Sequence, residues 1–219
     1  MYPTSCSWLL RQNNSLLFPN SLPVLQQLAG GIHPGKILEL CGPSGIGKSQ
    51  ICMVLVQDCL KDCKKCVIVS NRNIPKKQLR DLPMLQNLSV CYVSSVFELL
   101  TTLAALQSLE ASLVVIEGIQ PLLQAVLGSA NFRGHALLND VKGALGGLAV
   151  KTAVVYTNGI VSLGGGSHGP ALGLSWETVP SVRLMLLAGE EGTRHLWRDR
   201  DRLACFSVTD GGVHMEWKK

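Results

Sequence analysis

The chain has no uninterrupted apolar run near the 18 or so residues that a membrane span needs, although 47% of its 219 residues are hydrophobic. Charge is scarce too: Asp, Glu, Lys and Arg make up 16%, and the net charge of +5 permits an acidic partner without demanding one. Aromatic residues are only 5%. Mean hydropathy is +0.25. An apolar chain with few aromatics suits a buried parallel sheet of aliphatic strands, with surface left over for another chain. No acidic residue precedes Glu39, as in a transit peptide, but Arg11 is the one Lys or Arg before Lys36; so basic-poor a start argues against such a leader. A regular disulfide framework is missing as well. The eight cysteines sit in or beside expected strands and helices, which points to buried thiols in a reducing intracellular compartment. Cys63-Lys64-Lys65-Cys66 has no second Cys/His pair at finger spacing, so a zinc site is not expected.

What is present begins at Lys36–Gln50, KILELCGPSGIGKSQ. Gly42, Gly47, Lys48 and Ser49 have the spacing G-x-x-x-x-G-K-S. A short apolar run before them reads as a buried strand, and SQICMVLVQDCL after them carries apolar residues at helical spacing. Strand, glycine loop and helix together predict a phosphate-binding loop made of Gly42, Pro43, Ser44, Gly45, Ile46, Gly47, Lys48, Ser49 and Gln50. The glycines let successive backbone N–H groups turn inward, and the helix N-terminus adds partial positive charge. Lys48 is expected to reach the β- and γ-phosphates and the Ser49 hydroxyl to ligate Mg²⁺, so ATP and Mg²⁺ are the implied cofactors.

Residues 1–20 read as a polar N-terminal arm and 21–219 as one ATP-binding core. Further strands are expected at Cys66–Ser70, Ser89–Ser94, Leu113–Glu117, Thr152–Asn158 and Val182–Leu187, alternating with helices. A terminal hairpin joins Arg202–Val208 to Val213–Lys218 through Asp210-Gly211-Gly212. The fold class is therefore α/β, a mainly parallel sheet flanked by helices with a C-terminal antiparallel extension. The glycine-rich stretch 159–175, which carries no Lys or Arg, reads as a long loop of the kind that is functional or mobile. Glu117 ends an apolar strand, where nucleoside triphosphatases place the acid that organises Mg²⁺; the usual residue is Asp, and the extra methylene moves the carboxylate outward by one bond.

Gly42–Gln50, Leu113–Glu117, VVYTN (Val154–Asn158) and PALGLSWETVPSVR (Pro170–Arg183) follow one another as in the RecA-like recombinases. The chain resembles the eukaryotic recombinase paralogues of homologous-recombination repair, in particular their D-type branch, through VIVSN, VVYTN and PALG-x-SW-x-x-VPS-x-R. The resemblance implies a RecA-like core, hetero-oligomers with a recombinase or its paralogues, contact with single-stranded DNA through the complex, no membrane, and residence in the nucleus. It also implies DNA-facing loops after the fourth and fifth strands, which offer Arg133 and His135, then Ser162, Ser167 and His168. Pro170–Gly173 approaches a neighbouring subunit in assembled members, which makes Pro170 and Trp176 interface candidates.

Three departures bear on activity. The family's water-activating glutamate appears here as Asn71, and an amide is no base at neutral pH. The family's γ-phosphate-sensing Gln after Thr-Asn is Gly159. The N-terminal helical domain of most relatives is not expected from the residues before the core. Together they imply an assembly helper for recombinase filaments that holds ATP and hydrolyses it weakly, if at all. A DNA-stimulated ATPase is the alternative; a small P-loop kinase ranks below it, because 159–175 has no arginine to face a transferred phosphate. Two basic clusters, Lys61–Arg80 and Arg194–Arg202, read as solvated faces diluted by aspartates.

Overall fold

The computed structural model describes residues 31–127, 132–164, 167–198, 201–209 and 212–217. The N-terminal arm expected over 1–20 and residues 21–30 of the expected core lie outside them.

The first strand, β1 (Ile37–Cys41), is buried along its whole length and leads through the glycine loop into α1 (Lys48–Lys61). β2 (Cys66–Ser70) follows, then the short α2 (Lys76–Arg80) and β3 (Leu88–Tyr92). Pro75 opens α2, and the chain breaks again before a 3₁₀ turn at Leu85–Asn87, as the prolines at 75 and 83 require. Next comes α3 (Val96–Leu106), which has a reciprocal cap: Glu98 N–H donates to Ser95 Oγ at 3.2 Å, and Ser94 N–H donates to Glu98 Oε2 at 2.7 Å. Its residues Val96, Leu99, Leu103 and Leu106 form the buried stripe.

β4 (Leu113–Glu117), α4 (Ile119–Gln124), α5 (Phe132–Ala149) and β5 (Ala153–Asn158) complete the parallel core. After β6 (Ile160–Gly164) and β7 (Ser167–Pro170) come β8 (Val182–Ala188), β9 (Arg194–Arg198), β10 (Asp201–Thr209) and β11 (Gly212–Trp217). One nine-stranded sheet runs β11-β10-β9-β8-β1-β5-β4-β2-β3. From β8 to β3 the neighbours are parallel; β9, β10 and β11 extend the sheet antiparallel. The expected α/β class therefore holds.

Two apolar clusters lie on opposite faces of the sheet. One packs Leu38, Leu40, Leu184 and Leu186 against Ile51, Leu55 and Val56 of α1. The other packs Ile37, Val154 and Tyr156 against α3, α4, α5 and Trp176. Burial on both faces is why β1, β2, β4 and β5 read as nearly continuous aliphatic runs. Among the described residues no helix is long and apolar enough to cross a membrane.

Two expectations need correction. The stretch 159–175 is not one long loop: β6 and β7 pair antiparallel through Ile160↔Pro170, Val161↔Gly169 and Ser162↔His168. Leu163 packs across the strand against Gly169, where a Cβ would meet Leu163 Cδ1 at 2.9 Å, so the glycine makes room for the pairing. Nor is Arg194–Arg198 only a charged surface run. It is a strand, held between Met185↔Trp197 on one side and Arg202↔Trp197 on the other. Its alternation places Leu196 in the core and hides the period behind arginines.

Candidate nucleotide site

The parallel strands end on one side of the sheet, and in open α/β sheets that crevice is where ligands bind. A cavity of about 420 Å³ lies there, lined by Gly45, Gly47, Lys48 and Ser49 of the loop and by Arg72, Glu117 and Thr157 from the ends of β2, β4 and β5. Gly42 leaves β1 so close to β8 that a Cβ would stand 2.5 Å from Leu186 O. Gly47 turns the chain into the helix with φ of 111°, a left-handed conformation that glycine adopts without strain. A side chain at 47 would also press on Val208 Cγ2 and Phe206 Cε2, at 3.0 and 3.3 Å. The terminal extension thus supports the loop from beneath. Arg194 is there as well, with one guanidinium nitrogen buried and lacking a partner among the described residues.

The N-terminus of α1 has no side-chain cap and no acidic residue in its first turn. Its free backbone N–H groups and positive end are left to an anion. Lys48 bends back over the loop, its Nζ donating to Gly42 O at 2.6 Å and Pro43 O at 2.7 Å. Burial pushes the ammonium pKa below its usual value, and the nearby Arg72 charge adds to that push. A polyanion would relieve both effects.

Glu117 stands opposite. Burial raises its carboxyl above the usual carboxylate range, while a hydrogen bond from Ser49 and the Arg72 charge act against the rise. The two residues expected at Mg²⁺ therefore line the same cavity. Gly118 N–H donates to Thr157 Oγ1 at 2.8 Å, which ties the end of β4 to β5. Asn71 Oδ1 is buried without a partner among the described residues and lies against Gly118, where any side chain would clash with it. Among the described residues there is no cluster of three His, Cys, Asp or Glu able to cage a metal. An alcohol and one carboxylate lining an open cavity suit Mg²⁺, which keeps waters and shares phosphate oxygens. In such a site Ser49 and Glu117 would hold the cation, Lys48 and the loop amides the phosphates. Bound there, Mg²⁺ would offset phosphate charge.

Other expected residues fall elsewhere. Gln50 lines the cavity; Pro43 contributes its carbonyl to Lys48, and Ile46 is in the core. Gly159 lacks a side chain for a steric reason: Gln120, in the first turn of α4, fills the space where its Cβ would begin. The side chain of Arg133 lies outside the described residues, and His168 is exposed on β7. Pro170 is partly buried in the β6–β7 pair. Trp176 corrects its interface assignment. It is 0% exposed, and its Nε1 donates to Tyr156 Oη at 2.9 Å with the rings edge to face at 6.1 Å. A side chain so enclosed offers no surface to a neighbour.

Sequence reasoning missed Thr157, Arg72 and a buried network around Glu39. Glu39 is paired with Arg183 and accepts from Asn158 Nδ2 at 2.7 Å, while Asn158 Oδ1 accepts from Gly159 N–H at 2.8 Å. The signal was present: a lone carboxylate in an aliphatic strand needs a partner.

No family model matches the chain. It is 27% identical over 199 residues to the bovine "DNA repair protein RAD51 homolog 4", covering 78% of this chain and 61% of that protein. It is 23% identical over 217 residues to the "DNA repair and recombination protein RadB" of Methanococcoides burtonii, covering 90% and 96%. A segment of 104 residues is 27% identical to the "Cell division ATP-binding protein FtsE" of Bacillus subtilis, covering 48% and 44%. The chain spans 61% of the length of the bovine relative.

Proposed function

We propose that this chain, a RecA-like recombinase paralogue by its fold and relatives, binds ATP with Mg²⁺ and serves DNA repair as an assembly component for recombinase filaments on single-stranded DNA. It turns ATP over weakly or not at all by itself, and its place is the nucleus. The observation that carries this reading is one cavity lined by Lys48, Ser49 and Glu117 at an uncapped helix N-terminus. The end of β2 carries Asn71 where the resemblance expects a glutamate, and loss of a positioned general base costs on the order of 10² to 10⁴ in rate.

A partner chain is supported by surface. Among the described residues β3 is an edge of the sheet, and Tyr92 and Phe97 near it are 54% and 62% exposed. Open strand edges and exposed aromatics are places where another chain adds. A recombinase or another paralogue is the partner that fits, with Pro170 and the β6–β7 pair on a second face. DNA is met through the complex, because Lys and Arg supply most nonspecific DNA affinity and β6 and β7 carry none.

The test uses the full chain with Mg-ATP, with and without single-stranded DNA. Nucleotide binding with turnover close to background is the expected result, and Lys48→Ala should weaken binding at least about 100-fold, the scale of several charged phosphate contacts. Unchanged affinity in that variant removes the reading. Strong DNA-stimulated turnover of the unaltered chain replaces it with an active ATPase.

A further inference from the structure

We propose that Arg72 grips the terminal phosphate of the bound nucleotide and makes the cavity selective for a triphosphate over a diphosphate; the proposal rests on the nucleotide-binding reading above. Arg72 lines the same cavity as Lys48, Ser49, Glu117 and Thr157, but comes from the end of β2, three strands from the β1 that carries the glycine loop. It leaves the end of β2, whose Ser70 is in register with Glu117 on β4. Its backbone is pinned there: the buried Ser70 Oγ donates to Arg72 O at 2.8 Å and accepts from Arg72 N–H at 3.2 Å. The side chain is exposed to the cavity and makes no ion pair among the described residues.

Position explains the choice of phosphate. The loop amides and Lys48 hold the phosphates nearest the loop. A group that enters three strands away from the loop meets the end of the chain of phosphates. Arg72 also stands near enough to Lys48 and Glu117 for its charge to act on both. Two cations, Lys48 and Arg72, line one cavity with a single carboxylate, Glu117, an arrangement that a third phosphate satisfies. The guanidinium presents a planar fork of donors that matches phosphate oxygens. Because Asn71 beside it is no base, the grip holds the triphosphate without promoting attack on it. The arginine absent from 159–175 is thus supplied from the end of β2.

The experiment measures affinity of the full chain for Mg-adenylyl-imidodiphosphate, a non-hydrolysable triphosphate, and for Mg-ADP. The unaltered chain should prefer the triphosphate. Arg72→Met should lower triphosphate affinity about tenfold or more, as for loss of a charged hydrogen bond, and ADP affinity less than about twofold. Arg72→Lys should fall between, since it restores charge without the fork. Unfolding temperatures without nucleotide should match in all three, because the side chain is exposed. An equal loss for both nucleotides, or no loss, overturns the role of Arg72 while leaving the cradle intact. Full affinity in Lys48→Ala, or no binding by the unaltered chain, overturns the cradle and this proposal with it.

Discussion

Two glutamates are buried in the same parallel sheet, Glu39 in β1 at 0% exposure and Glu117 at the end of β4 at 8%, and the fold treats them in opposite ways. Glu39 is enclosed by protein donors, Arg183 from β8 and Asn158 from β5. Glu117 has no ion pair among the described residues; it lines a cavity with Ser49, and burial raises its carboxyl. A carboxylate whose oxygens are filled by the chain itself holds strands together. One left facing an alcohol and open space is kept for a ligand, at a cost to the empty protein.

The contrast breaks most visibly at Glu39. Glu39→Ala leaves Arg183 without its counterion beside a small void, and urea unfolding should show a loss of about 3–5 kcal/mol. A loss below about 1 kcal/mol would mean that the network does not hold β1, β5 and β8 together. Tyr156→Phe probes the same face with a smaller effect. It removes the acceptor of Trp176 Nε1, and an orphaned buried donor should cost about 1–3 kcal/mol in the same measurement.

Glu117→Gln should act with the opposite sign. It removes a buried charge that the empty site does not compensate, so thermal melts without nucleotide at neutral pH should show a gain on the order of 1 kcal/mol. The pH dependence follows from the raised folded pKa. The unfolded carboxyl ionises near its ordinary value of 4.5, before the folded one does, so ionisation favours unfolding. The advantage of Gln should therefore vanish below that value and grow as pH rises through the folded pKa. A variant less stable than the parent at pH 7 would place Glu117 with Glu39 as a structural residue. With Mg²⁺ and ATP present the order should reverse, the parent gaining more from ligand than the variant.

Much of the fold was legible because its strands are local, β-branched and aliphatic: Val67–Ser70, Leu113–Ile116 and Val154–Thr157 announce themselves. β9 did not, because Arg194 and Arg198 flank the one core side chain, Leu196. The β6–β7 pair was hidden by glycines, whose place in a strand depends on the neighbour that crosses them. Trp176 read as a surface for a partner because its segment is loop-like; only packing against Tyr156 shows that it is core.

By itself the sequence determined the chemistry that is contiguous in the chain: glycines able to turn, then Lys48 and Ser49 at the start of a helix. Connectivity forces those groups together whatever surrounds them. Only the tertiary structure decided what faces them, because the parallel register of β1, β5, β4 and β2 sets which strand ends share a cavity. It gathered Ser49, Arg72 and Glu117 around one cavity, put Gln120 against Gly159, and enclosed Glu39 between two distant partners.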